Sequence, residues 1–231
     1  MKYPPSLSVI IPTLNEANRL PLLLADLKRW SSNLDVIVVD GGSTDCTASV
    51  AQLSGATFLP FPHKNRGAQL KHGASHSKGE WMLFLHADSR LHLNWPVKIE
   101  EVIQTPSGSE IAWYFDFKVQ RKGAILRLLE VAVAIRSRLL KRPYGDQGLL
   151  IKRILYDQFD GYKSLHLMED IDFVIRISRQ NNLKSLGIPL YTDYRRWEKF
   201  GVLLQAFRNA QLRHRWMKGE RSESLLEEYE K

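Results

Sequence analysis

Acidic side chains recur in this chain where an apolar strand-like run gives way to a loop. Asn15 and Glu16 follow Leu7–Ile11, Asp40 closes Asp35–Val39, and His86 and Asp88 follow Trp81–Leu85. A further pair, Glu169–Asp170, opens a helical stretch. Carboxylates drawn into one crevice repel one another, and a cation or a ribose and base that takes up their oxygens relieves the repulsion. A single acid at such a place would cap a helix or close a turn, as Asp26 and Asp45 are expected to do. Acids at three successive strand ends point to function instead.

The elements around them form an alternating series. Leu7–Ile11, stopped by Pro12, reads as a buried strand, and the leucines of Arg19–Trp30 give an amphipathic helix that tolerates Pro21 in its first turn. Asp35–Asp40 is a second strand, followed by a Gly41-Gly42-Ser43 turn with Ser43 or Thr44 as helix cap. Thr57–Leu59 is a weaker strand, Asn65–Ser77 a helix and Trp81–Leu85 a fourth strand. That rhythm predicts an α/β fold, a mostly parallel central sheet flanked by helices. Beyond residue 108 the pattern shifts. Ile111–Val119 alternates like an exposed-edge or antiparallel strand, Gly123–Leu140 is a basic apolar helix, Gly145–Ile151 a loop entering a strand, and Glu169–Gln180 and Phe200–Met217 are helices. We expect one domain over 1–217, with a nucleotide half near 1–107, an acceptor half near 108–217, and a charged tail over 218–231.

Several chemistries drop out. The loop after the first strand is Pro12-Thr13-Leu14-Asn15-Glu16, without the glycines that let a dinucleotide's pyrophosphate approach the backbone. Neither a P-loop nor a G-x-S-x-G elbow is present. The single Cys46 excludes an internal disulfide framework and any multi-cysteine metal site, and small-residue packing is its expected role. His72 and His76 share a zinc-like i, i+4 spacing, but no glutamate follows His72 and no third ligand is evident.

The chain carries 33 basic and 25 acidic residues, net +8, with eight basic residues and one acid between Lys118 and Arg142. Such surfaces suit phosphates, nucleic acid or an anionic membrane. No secretory h-region or run of about 20 apolar residues occurs, which predicts a cytoplasmic protein, with the inner face of the plasma membrane as its place of contact.

In order, SVIIPTLNEA (8–17), VIVVDGGSTD (36–45), NRGAQLKHGA (65–74), LFLHADSRL (83–91), YGDQGLLIKR (144–153) and LMEDIDFVIR (167–176) resemble the motifs of family 2 glycosyltransferases with the GT-A (nucleotide-diphospho-sugar transferase) fold. Within that family the chain resembles a compact bacterial subgroup sharing His-Ala-Asp, Gly-Asp-Gln and Arg-Arg-Trp signatures. The resemblance implies an inverting, metal-dependent hexosyltransferase taking a sugar from a nucleoside-diphosphate donor. Pro12, Thr13, Asn15, Glu16, Asp40, Gly41, Arg66, Ala87 and Asp88 would bind the nucleotide sugar. Asp88 would hold Mn²⁺ or Mg²⁺ where the family has D-x-D. Position 86 is His rather than Asp, so His86 is a weaker metal candidate than Asp88.

Asp170 would be the base that takes the acceptor's proton, with Glu169 tuning it. Asp172, about 200° further round the helix, would be a solvated charge. Gly145, Asp146, Gln147, Arg195, Arg196 and Trp197 would meet acceptor, sugar and diphosphate. The two basic amphipathic stretches suggest a lipid-like acceptor and peripheral contact with an anionic membrane. No nucleic-acid signature is present. The remaining alternatives are a nucleotidyltransferase on a similar fold and a non-catalytic nucleotide or nucleic-acid binding module.

Overall fold

A computed structural model describes residues 6–180, 182–195 and 201–230. Eight strands form one sheet in the order β3-β2-β1-β4-β7-β6-β8-β5. They are β1 (Leu7–Thr13), β2 (Leu34–Asp40), β3 (Thr57–Pro60), β4 (Trp81–Phe84), β5 (Ser89–Leu91), β6 (Ala112–Val119), β7 (Leu149–Lys152) and β8 (Leu183–Thr192). β3, β2, β1 and β4 run parallel, as do β6 and β8, whereas β7 runs against both of its neighbours and β5 against β8.

The helices are α1 (Leu20–Leu27), α2 (Thr47–Leu53), α3 (Arg66–His76), α4 (Trp95–Gln104), α5 (Ala124–Leu139), α6 (Arg153–Gln158), α7 (Glu169–Ser178), α8 (Val202–Met217) and α9 (Ser222–Glu230). Alternate side chains of each strand enter opposite layers. Val9, Ile11, Trp81 and Leu83 pack with α1 and α4 on one face, whereas Ile10, Met82 and Phe84 pack with α3, α6 and α7 on the other. Both faces are therefore covered, which is why these strands read as unbroken apolar runs.

Five sequence expectations change. Of the two readings of Ile111–Val119, the antiparallel one holds against β7 and the edge one does not: β6 lies between β7 and β8, and the edges are β3 and β5. Its polar positions are satisfied internally, Asp116 by Ser185 Oγ at 2.8 Å and by Arg138 at 2.9 Å. Neither Ser43 nor Thr44 caps α2; Asp45 accepts from the Thr47 N–H at 3.0 Å instead. The presumed tail contains α9, whose Leu225 is fully buried against Leu167, Met168, Ile171 and Leu212. Cys46 is exposed rather than packed, and Asp172 pairs with Arg176 at 2.7 Å rather than standing in solvent. β5, β8, α4 and α6 had no clear sequence signal.

Candidate active site

The carboxyl ends of β1 and β2 are tied together before any ligand enters. Asp40 accepts from Thr13 Oγ1 (2.9 Å), from Ser43 Oγ (2.5 Å) and from the backbone N–H groups of Gly42 (3.1 Å) and Ser43 (2.8 Å). Asn15, with a left-handed φ of 55°, accepts from the Thr44 N–H at 2.8 Å, and its own N–H donates to Ser43 Oγ at 2.7 Å. Asp40, Gly41 and Asn15 thus shape the loops and do not line the neighbouring cavity. Gln69, which sequence reasoning passed over, projects from α3 and donates to the carbonyls of Thr13 (3.0 Å) and Val39 (2.8 Å).

That neighbouring cavity, about 250 Å³, is lined by Pro12, Thr13, Glu16, Arg66, Ala87 and Asp88, among others. At its rim Arg195 bridges two acids, its Nη2 lying 2.5 Å from Glu16 Oε1 and 3.6 Å from Asp88 Oδ2. Arg195 is itself set by its N–H to Asp193 (2.8 Å), which also pairs with Arg19 at 2.6 Å. Burial pushes the Glu16 carboxyl above its ordinary range; Arg195 opposes the shift and the Asp88 charge adds to it. Arg196 and Trp197 lie outside the described residues.

A second cavity of about 360 Å³ opens between α5 and α8. Asp170 lines it, one carboxylate oxygen accepting from the Gly145 N–H at 2.6 Å and the other from the Ile171 N–H at 2.8 Å. Its neighbour Glu169 is fully buried and paired with Arg66. Burial pushes the Glu169 carboxyl up, Arg66 pulls it down, and the Asp170 charge pushes it up again; the net displacement is upward. Asp146 also lines this cavity. Gln147 does not: its amide donates to the Phe115 carbonyl (3.1 Å) and accepts from Ser137 Oγ (2.7 Å), so it braces the loop from beneath.

The two cavities share Arg66, His86, Leu167 and Tyr229. His86 sits against the acceptor-side loop, since a Cβ on Gly145 would fall 2.8 Å from its Nε2 and 3.0 Å from Asp170 Oδ2. Tyr229 and Leu226 come from α9, and sequence reasoning missed them because five acids masked the Leu225-Leu226-x-x-Tyr229 spacing. Arg136 and Arg213 were also missed as site residues. Both stack on Tyr144, at 3.8 and 5.2 Å from its ring centroid, and both line the larger cavity.

Hard-oxygen donors at this place fit a divalent cation. Asp88 and Glu16 are already gathered around the positive Arg195, and Glu16 Oε2 is buried without a hydrogen-bond donor among the described residues. No three of His, Cys, Asp and Glu form a ready cage among the described residues. One or two carboxylates suffice for Mg²⁺ or Mn²⁺ when substrate phosphates supply further oxygens.

Residues 8–163 match the family described as glycosyl transferase family 2. The chain belongs to that family. The family 2 assignment and the solved structures it resembles give a GT-A-like α/β fold and disfavour both alternatives raised from sequence. Relatives include the 4,4'-diaponeurosporenoate glycosyltransferase of Staphylococcus haemolyticus, 36% identical over 107 residues covering 43% of this chain and 28% of that protein. An uncharacterized glycosyltransferase of Haemophilus influenzae is 27% identical over 201 residues, covering 82% of this chain and 65% of that one. Among the curated relatives, the chain spans about a third of the length of several, 37% for the Mycobacterium tuberculosis PGL/p-HBAD biosynthesis glycosyltransferase. Structural neighbours include S. aureus TarS 1–349 in complex with UDP (TM-score 0.65, 18% identity, covering 81% of this chain and 60% of that one). Another is the mannosyltransferase PcManGT of Pyrobaculum calidifontis with GDP-Man and Mn²⁺ (TM-score 0.64, 17% identity, covering 95% and 66%).

Two outcomes follow from this packing. Gly145→Ala is expected to cost about 1–3 kcal/mol in denaturant unfolding, because the methyl must displace His86 or Asp170. An unchanged midpoint would contradict the close approach. Glu169 also gives stability a pH dependence. With its folded pKa above the ordinary 4.5, the folded protein keeps a proton that the unfolded chain has released, so stability falls as pH rises through that window. Glu169→Gln removes this contribution. The Tm of the variant relative to the parent should therefore improve as pH is raised above the ordinary carboxylate value of 4.5. A constant difference would argue against a raised Glu169.

Proposed function

We propose that the protein is an inverting glycosyltransferase that moves a sugar from a nucleoside-diphosphate donor to a hydroxyl or carboxylate of an acceptor with an apolar body. The observation that carries this reading is the meeting of two cavities at Arg66 and His86, with Glu16 and Asp88 lining one and Asp170 lining the other. A donor in the first cavity would lay its diphosphate along Asp88 and its sugar toward His86. The acceptor would enter between α5 and α8, beside Leu129, Val133 and Leu212, and present its nucleophile to Asp170.

Asp88, with Glu16 beside it, would hold the Mn²⁺ or Mg²⁺, which when bound neutralises charge developing on the departing diphosphate. Asp170 takes the proton of an attacking hydroxyl. Its two backbone hydrogen bonds fix the carboxylate, so the base is oriented before the acceptor arrives. Glu169 keeps Arg66 in place between the cavities, and Arg195 is poised to move from the carboxylates toward the phosphates. The apolar lining of Leu129, Val133 and Leu212 supports an acceptor with an apolar body.

Asp170→Asn tests the assignment. With Mn²⁺ and a panel of sugar nucleotides, the parent is expected to release nucleoside diphosphate from at least one, and the variant to do so about 10²–10⁴-fold more slowly. Nucleotide affinity should stay unchanged. A variant that loses nucleotide binding would put Asp170 in the donor pocket instead.

A further inference from the structure

Helix α5 has two apolar faces, and the fold covers only one of them. Toward the sheet, Leu126, Leu129 and Val133 pack on Phe117 and Val119. On the opposite side Ile125, Leu128, Val131, Ile135 and Leu139 follow one another at i+3 and i+4 steps, a single stripe along the helix. All five are exposed, Leu128 by 70% and Leu139 by 75%. At the start of α8, whose Val202 packs on the inner cluster of α5, Leu203, Leu204 and Phe207 are exposed as well. Contiguous leucine, isoleucine and phenylalanine of this extent mark a surface that meets something apolar.

The border of the stripe is basic. Arg121 and Lys122 precede the first turn, Arg127 and Arg138 lie along its flank, and all four are exposed, although Arg138 also pairs with Asp116 and Arg121 lies over the Tyr194 ring. Glu130 is the one acid from Lys118 to Arg142, and it pairs with Lys118 at 2.6 Å. The acceptor-side cavity opens beside this face, between Leu129 and Ala132 of α5 and Ala206 and Asn209 of α8.

We propose that the outer face of α5, with the start of α8, docks on an anionic lipid bilayer. The stripe enters the boundary between headgroups and acyl chains, and the arginines and lysines meet lipid phosphates. Charge complementarity selects the bilayer over a second copy of this chain. A two-fold contact would set the patch against itself and bring its cations together. Among the described residues no helix is long and apolar enough to cross a membrane, so the contact is peripheral. Docked this way, the cavity opens at the lipid surface, and an acceptor anchored there reaches Asp170 without leaving the bilayer. That last step rests on the sugar-transfer reading; the docking itself does not.

Co-sedimentation with vesicles tests the surface. The full chain is expected to pellet with vesicles of equimolar phosphatidylglycerol and phosphatidylcholine and much less with phosphatidylcholine alone. The bound fraction should fall with added salt without vanishing. The combined variant Leu128→Ser, Ile135→Ser, Leu139→Ser, whose side chains line neither cavity, should bind at least about tenfold more weakly. Arg127→Glu alone should weaken binding about fivefold or more. Both variants should release nucleoside diphosphate from a sugar nucleotide in solution at the parent's rate, which separates loss of docking from loss of transfer. A parent that stays in the supernatant with anionic vesicles overturns the proposal. So does a triple variant that binds like the parent, or a dimer in sedimentation velocity that the triple variant abolishes.

Discussion

The site exists because each half of the chain answers the other's charges. Arg66, from the first half, pairs with the buried Glu169 of the second. Arg195, from the second half, reaches back to Glu16 and Asp88, and Arg19 reaches forward to Asp193. Neither set of acids could sit at the sheet's carboxyl edge without these partners, since an unpaired buried carboxylate costs several kcal/mol, on the order of 3–5 when one member of a pair is removed. Folding therefore brings the two halves together by the same pairs that position the reactive groups.

This reciprocity leaves a particular division of labour. Asp40 and Gln69 hold the strand ends in register and the loops in shape, Glu169 holds Arg66, and Gly145 holds Asp170. Glu16, Asp88, Asp146, Asp170 and Arg66 line the two cavities. Arg195 bridges Glu16 and Asp88, so any cation held by those oxygens would take the place of a guanidinium. Closure of the site from the far side falls to α9, whose Tyr229 borders both cavities.

Much of this was legible in the residues. The parallel strands β1, β2 and β4 announced themselves as apolar runs because both faces are covered, and Asp88 and Asp170 stood at strand and helix ends where a ligand could be met. β6 read correctly as antiparallel, to β7, but also as an edge, because its Asp116 is satisfied by Arg138 and Ser185, partners 22 and 69 residues away that no local pattern contains. The internal hydrogen bonds of Asp40 and Gln147 were not legible, since sequence shows that a side chain can form hydrogen bonds but not with which partners. The acids of α9 hid a helix, because Arg215 takes up Glu220 and Glu228 across a turn and only the packing of Leu225 betrays its inner face. The basic stretch around α5 was visible as charge, but its division was not: Arg136 turns inward onto Tyr144 while Arg127 and Arg138 border an apolar stripe.

Calorimetric titration of UDP, GDP and the other nucleoside diphosphates into the protein, with Mn²⁺ and then with EDTA, addresses the donor crevice directly. At least one diphosphate should bind with the metal present and lose most of its affinity when the metal is withdrawn. Absence of binding by any of them in Mn²⁺, or equal binding in EDTA, would contradict a metal-bridged nucleotide at Glu16 and Asp88.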